Sequence, residues 1–438
     1  MNKNLFWKSM VLTMAILFIS AGYISSASKN NHFDNLGKNS YIEWPYEPDI
    51  IVPDDYPSIQ DAINVATEGS CICVRNGVYN EPITIEWYDK NGLILCGEDR
   101  NKTIIDAENY ANVNTINVKN VDDIIITEFT ITGSGLEYKS NGYLYDGVSC
   151  NSAKNIHIYN NTICDNGNGI YGTGSTSLLL EHNTIIDNLD NGIRGKGDSV
   201  FYIRYNTILN NGYGEDPEKQ NGDGIEIQSS AGSSTISYNL ISGNKMDGIW
   251  SETVDNHVIV GNTVTDNSQC GIHIYEGRNC KINDNIVTNN GYGYILYTSG
   301  IWLHQSSNNI IDNNTIDDNK NGFCLVQSHE NVVTNNKISD NYWSGLELKQ
   351  TSNNEIRNNI IHDNKIGIYL QSTSQSKINQ NDIYLNSLFG LVSIVSTGSA
   401  VNNWWGSSVI GPYGKTFRIF FPIIPIVAPW SLSRVNSE

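Results

Sequence analysis

The chain has 438 residues and a formal net charge of −19, from 46 acidic and 27 basic side chains, with eight cysteines and four methionines. With no basic cluster, this charge argues against nucleic-acid and anionic-membrane partners. It also disfavours polyuronates unless cations bridge the two, and the cysteines lack the CxxC spacing of a zinc or redox motif, so no metal site is indicated.

Residues 1–27 read as a signal peptide: Lys3 and Lys8, an apolar run from Met10 to Ile19, then small residues ending Ser25-Ser26-Ala27. The run is shorter than the roughly 18 residues of a membrane span. A secreted or surface protein with no span after signal removal is therefore expected, a retained anchor being the alternative. Residues 28–49 carry no periodicity and read as a leader. In Tyr56–Ala66, Ser58 with Asp61 makes an N-cap pair, and Ile59, Ala62, Ile63 and Ala66 form one apolar face, so a short helix is predicted. Cys71–Glu81 then reads as the first coil of a repeating structure.

Ten copies of Asn-x-(Ile/Val/Leu)-x-x-Asn begin at Asn161, Asn183, Asn206, Asn239, Asn262, Asn285, Asn314, Asn336, Asn359 and Asn381, in steps of 22, 23, 33, 23, 23, 29, 22, 23 and 22 residues. A fixed period with a few long exceptions marks a solenoid whose coils carry insertions. A second anchor, Gly followed by an apolar residue, trails by 8 or 9 residues in most coils, as at Gly248-Ile249 and Gly271-Ile272. Apolar and polar residues alternate, as in Gly271-Ile272-His273-Ile274-Tyr275, which is strand periodicity. The predicted fold is all-β: a single-stranded right-handed parallel β-helix over residues 50–402, with about 22–23 residues per coil. Ile225, Ile249, Ile272, Ile301, Phe323, Leu346, Ile368 and Leu391 form its inward stack. The asparagines suit corners, because Asn tolerates left-handed backbone angles and its amides stack as ladders. Residues 403–438 read as a closing segment, and three prolines between 419 and 429 exclude a membrane span there.

This repeat, the capping helix at Tyr56–Ala66 and the segment Asn403-Trp404-Trp405-Gly406 resemble the NosD-type and CASH (carbohydrate-binding and sugar-hydrolase) parallel β-helix proteins of the pectin-lyase-like superfamily. The resemblance covers roughly residues 50–430, and its motifs specify fold strongly and chemistry weakly. It implies either action on polysaccharides or, through NosD, an accessory role in copper delivery. Copper wants clustered His, Met or Cys, yet three of the four methionines lie in the signal peptide and only His273 and His304 come close.

Three insertions, near 134–145, 211–222 and 291–298, fall at one corner of the coil, three coils apart. They are rich in tyrosine, including Tyr213, Tyr292 and Tyr294, and predict a shared binding wall; the bland reading is that corners tolerate insertions anywhere. Beneath them, the outward positions of successive strands bring Arg194, Lys196, Glu226, Trp250, Glu252, His273, Tyr275, Trp302 and His304 onto one stripe. Aromatic rings flanked by polar groups suit a polysaccharide or surface glycan.

Two catalytic schemes stay open beside binding alone. Glu226 and Glu252, about 8 Å apart along the backbone, could be the acid and base of a glycoside hydrolase. In a uronate lyase or epimerase, His273 or His304 would be the base, Tyr275 the proton donor, and Arg194 or Lys196 the carboxylate partner. No paired-aspartate polygalacturonase signature and no Tyr-Gly-x-Asp-Pro-His run is present, and Asp223-Gly224 and Asp247-Gly248 read as Asx corners. The rival reading is a passive surface rod or adhesin. No cofactor is required; calcium is compatible with the acidity, although no nonapeptide calcium repeat occurs. A monomer is expected.

Overall fold

The computed structural model describes residues 46–135, 144–174, 176–213, 222–229, 232–293 and 298–406, and the backbone of 416–419. The expected signal peptide, nearly all of the leader and the end of the closing segment lie outside the described residues. So do Tyr294 and at least half of each insertion.

Three strands per coil stack into three parallel sheets of 15, 13 and 14 strands. The first sheet runs from Ile50–Val52 to Gly398–Val401, the second from Gly77–Tyr79 to Asp382–Tyr384, and the third from Ile83–Glu86 to Thr416–Ile419. Every strand pairs with the same strand of the next coil because the apolar period is the same in each. In the third sheet Ile225 pairs with Ile249, Ile249 with Ile272, Ile272 with Ile301 and Ile301 with Phe323. All eight residues of the expected inward stack are buried. Slipping one strand by a single residue would turn its apolar side outward.

The asparagines do more than turn corners. Asn262 accepts from the backbone N–H and the side-chain amide of Asn239, both at 3.0 Å, and donates to Ile236 O at 2.9 Å and to Asn285 Oδ1 at 3.0 Å. The same bonds repeat down the rod to Asn403, and the second Asn of each repeat builds a parallel ladder from Asn166 to Asn386. The left-handed backbone angle belongs to the residue before the ladder asparagine, which is itself asparagine at Asn160 (φ 53°), Asn313 (φ 54°), Asn335 (φ 56°) and Asn358 (φ 57°) and another residue at His182 (φ 53°), Tyr205 (φ 58°), Tyr238 (φ 55°) and Asp284 (φ 58°). Asparagine thus serves both expected roles, at adjacent positions. One residue bends the chain and the next supplies a buried amide.

One helix, Ile59–Val65, precedes the first coil, with Ser58 accepting from the Asp61 N–H at 3.0 Å. The Glu81 carboxylate takes the free N–H groups of Ile59 and Gln60 at 2.9 and 3.0 Å, as helix N-termini favour. Ile59, Ala62 and Ile63 join the core, so the helix covers the open end of the stack. Among the described residues no helix is long and apolar enough to cross a membrane.

Two insertions leave and re-enter the rod through narrow necks between the second and third sheets. Gly212 (φ 91°) and Gly222 (φ 126°) lie so close that a Cβ on either would sit 2.5–2.6 Å from the other's Cα. Thr298 Oγ1 donates to Gly291 O at 2.7 Å across the other neck.

Candidate functional site

The outward positions of the third sheet fall in the expected register. Arg194 stands beside Glu226, Glu226 beside Trp250, Trp250 beside His273 and His273 beside Trp302; in the second column Lys196, Gln228, Glu252, Tyr275 and His304 succeed one another. The two ends of this stripe differ in character.

At one end sits a buried ion pair. Arg194 Nε lies 3.1 Å from Glu226 Oε2, the two side chains being 7% and 3% exposed, and the Asn191 amide also donates to that carboxylate. Burial pushes the Glu226 pKa up to about 7, with Arg194 opposing the rise and Asp190 adding to it. Glu252 takes the Gln228 amide at 3.0 Å. Glu226 is thus walled in, bonded to Arg194 and Asn191, while Glu252 is half-buried in the neighbouring column. Arg194 is committed to Glu226.

At the other end, rings stand in a row. The His273 and Trp302 rings stack at 4.5 Å with 8° between planes, and Trp302 stacks on His304 at 5.4 Å, while Tyr275 meets His304 edge-on at 5.1 Å. Rings on adjacent coils are spaced like the strands, so they cover one another's faces and present edges outward. Burial lowers the His304 pKa. Trp250 Nε1, His273 Nε2 and Trp302 Nε1, on three consecutive coils, are all shielded from water and have no hydrogen-bond partner among the described residues.

Beneath the stripe runs a polar column whose pattern in the sequence suggests only corners. The residue before each second-anchor glycine, at Asn168, Asn191, Asp223, Asp247 and Cys270, bonds the next coil. Asn191 Oδ1 accepts from Asp223 N–H at 2.8 Å, Asp223 Oδ1 from Asp247 N–H at 2.8 Å, and Asp247 Oδ1 from Cys270 N–H at 2.6 Å. Asp247 Oδ2 also lies 3.0 Å from His273 Nδ1, orienting that ring. Asp223 and Asp247 are therefore buried partners of the stripe rather than Asx corners. Asp223 is held well above the usual carboxylate range, first by burial and then by the charges of Asp247 and Glu226. The Asp-Gly dipeptides were visible in the sequence, but the one-coil offset that pairs Asp247 with His273 was not.

The insertion tyrosines Tyr213 and Tyr292 are 47% and 52% exposed. Burial raises both hydroxyl pKa values, and the charges of Asp165 and Asp187 at Tyr213, and of Asp318 and Asp317 at Tyr292, add to the rise.

Two groups of side chains bring three possible metal-ligand atoms within 4.8 Å of one another: Asp247, Cys270 and His273; and Cys71, Cys73 and Cys96. In the first, both carboxylate oxygens of Asp247 are already bonded, so it does not fit a metal ion. The second is a set of soft donors with no competing partner of that kind.

Comparison with known proteins agrees with this architecture. A family model described as "Right handed beta helix region" matches residues 146–301 and 296–410, and one described as "Periplasmic copper-binding protein (NosD)" matches residues 63–215. No curated protein matches the chain. Solved structures with a similar course include the periplasmic alginate epimerase AlgG (15% identity, 88% of this chain and 85% of that one, TM-score 0.48). The Agl-KA catalytic domain (15%, 88% and 69%, 0.49) and the Azotobacter vinelandii mannuronan C-5 epimerase AlgE4 A-module (16%, 87% and 99%, 0.41) are others. Among the described residues, the copper in the second family's description finds a fitting donor set in the three cysteines, which fall within the matched segment. The repeat, the three parallel sheets and the family match covering more than half of the sequence agree: the chain belongs to the right-handed β-helix family.

Proposed function

We propose that the stripe from Arg194 to His304 is a binding face for a neutral polysaccharide, in a protein that works outside the cytoplasm. The observation that carries this reading is the run of three unpartnered ring nitrogens on Trp250, His273 and Trp302. An unmet buried donor costs about 1–3 kcal/mol, and a passive rod gains nothing from three in register. A small tilt of these rings on binding would bring their nitrogens to sugar hydroxyls, while the ring edges offer apolar contact. A neutral ligand is favoured because Arg194 is spent on Glu226 and the chain is strongly acidic.

The Asp247–His273 contact favours a second reading, acid–base processing of the bound chain, since a carboxylate that orients an imidazole is a common base arrangement. Tyr275 and His304 stand in the adjoining column as partners in such a step. The Glu226–Glu252 hydrolase pair receives less support, because Glu226 is enclosed by Arg194 and Asn191.

The test is affinity electrophoresis of purified residues 28–438 against neutral and acidic polysaccharides, alongside assays for new reducing ends and for the ultraviolet absorbance of unsaturated uronate. Retardation by a neutral glycan that disappears in Trp250→Phe/Trp302→Phe supports the binding face. Equal retardation of the double variant would remove it. Turnover in either channel that is lost in His273→Gln would add the catalytic role.

A further inference from the structure

A second site lies at the N-terminal end of the rod, on the outer face of the first sheet. Strands Cys71–Val74 and Ile94–Gly97 lie side by side, with Cys71 opposite Ile94 and Cys73 opposite Cys96. Ile72, Val74 and Leu95 fill the interior, so the alternation sends Cys71, Cys73 and Cys96 outward. Three of the four outward corners of this strand pair are thus thiols. An outward face would ordinarily be wet, yet Cys71 is 5% exposed and Cys73 and Cys96 are 0% exposed, packed with Ile94 under Tyr46. The covering segment is fixed: Asp49 exchanges bonds with Cys71, N–H to O at 2.9 Å and Oδ2 from N–H at 2.8 Å, and the Tyr46 hydroxyl meets that of Tyr159 at 2.9 Å.

We infer that Cys71, Cys73 and Cys96 form a three-coordinate thiolate site for copper(I). The Cys71 and Cys73 sulfurs are 3.8 Å apart and all three lie within 4.8 Å of one another. Three sulfurs around one ion at bond lengths of about 2.3 Å would stand about 4 Å from each other. A disulfide needs its sulfurs at about 2.05 Å, and the Cys71 and Cys73 sulfurs stand well beyond that at 3.8 Å. Thiolates select soft ions. Zinc is almost always four-coordinate in structural sites; among the described residues no His, Asp or Glu joins the three sulfurs at that range, and the covered site leaves no wet fourth position. Copper(I) accepts three donors. Each thiol that coordinates gives its proton to solvent, so binding weakens as pH falls.

The site is independent of the glycan face and stands or falls by itself. The full chain, reduced and kept anaerobic, is titrated with copper(I) in competition with bicinchoninate. The expected result is one equivalent retained, thiolate-to-copper ultraviolet absorption and X-ray absorption showing three sulfur neighbours at about 2.3 Å. Cys73→Ser and Cys96→Ser should each weaken retention by about 100-fold or more, while Cys280→Ser, a core thiol elsewhere, should not. Alkylation of the unaltered chain gives a second measurement that survives a misfolded variant. Protection gained on adding copper(I) should fall on Cys71, Cys73 and Cys96 alone. Protection elsewhere, retention unchanged by Cys73→Ser, zinc held in preference to copper(I), or a Cys73–Cys96 disulfide that after reduction still leaves no copper(I) bound would each overturn the assignment.

Discussion

Replacing one ladder asparagine tests the physical basis of the rod. In Asn262→Ala the backbone N–H of Asn239 and the carbonyl of Ile236 lose their side-chain partner, and the Asn239 and Asn285 amides each lose one of several bonds. The site is 1% exposed, so water cannot replace what is lost. Two stranded buried groups at about 1–3 kcal/mol each give about 2–6 kcal/mol, set against a total stability of about 5–15 kcal/mol for an ordinary domain. Solenoids unfold by nearest-neighbour steps, so the loss should appear as an early local transition around the coils at 239–285. Urea unfolding followed by tryptophan fluorescence, with Trp250 lying between Asn239 and Asn262, reads that region. Lys281→Ala, at an exposed strand position of the same coils, serves as the control and should change stability by less than about 0.5 kcal/mol. If Asn262→Ala cost no more than the control, the ladders would be consequences of the fold and not supports of it.

The remaining predictions concern charge and packing. Burial raises the Glu226 pKa to about 7 despite the opposing Arg194, so the folded state holds this proton more tightly than the unfolded chain and the contribution to stability declines as pH rises from about 4.5 toward 7, where the pair with Arg194 becomes fully ionic. Glu226→Gln should flatten the dependence of melting temperature on pH between 5 and 7 by close to one proton's worth; an unchanged slope refutes the buried-acid assignment. Asp223→Asn should flatten it further over a range above the usual carboxylate pKa, since Asp223 is raised in the same direction. Gly195→Ala would place a methyl 2.4 Å from the Phe201 ring, and should cost about 1–3 kcal/mol in thermal unfolding unless Phe201→Leu is added to make room.

The fold was legible because a β-helix repeats its physics. Period, alternation and the Asn and Gly anchors each recur about ten times, so the register of Arg194, Glu226, Trp250, His273 and Trp302 could be read from spacing alone. Side-chain direction within that register was not legible. Nothing in the sequence says that Glu226 turns to Arg194 and Asn191, or that the His273 and Trp302 faces close on each other. Those outcomes depend on which neighbour lies one coil away, a distance of 22 to 33 residues that varies with each insertion. The cysteines show the same limit. Cys71 and Cys73 were visible as neighbours on a strand, but Cys96 joins them only through the parallel pairing of two coils.

Each coil position of a solenoid becomes a column, and a column of identical side chains has a uniform purpose. Asparagine columns satisfy buried amides, and isoleucine columns fill the core. A site with chemistry therefore has to appear where a column changes its residue type. The corner column runs Asn168, Asn191, Asp223, Asp247, Cys270 and then Ser299, and in the same coils the stripe above it passes from arginine and glutamate to tryptophan and histidine. Over these coils buried carboxylates, an oriented imidazole and unmet ring nitrogens coincide. The second break in uniformity is the thiol corner at Cys71, Cys73 and Cys96, where an outward face is covered instead of exposed. Both breaks involve polar or reactive atoms kept from water at a cost the repeat itself does not require, and the glycan and copper(I) experiments are aimed at those two places for that reason.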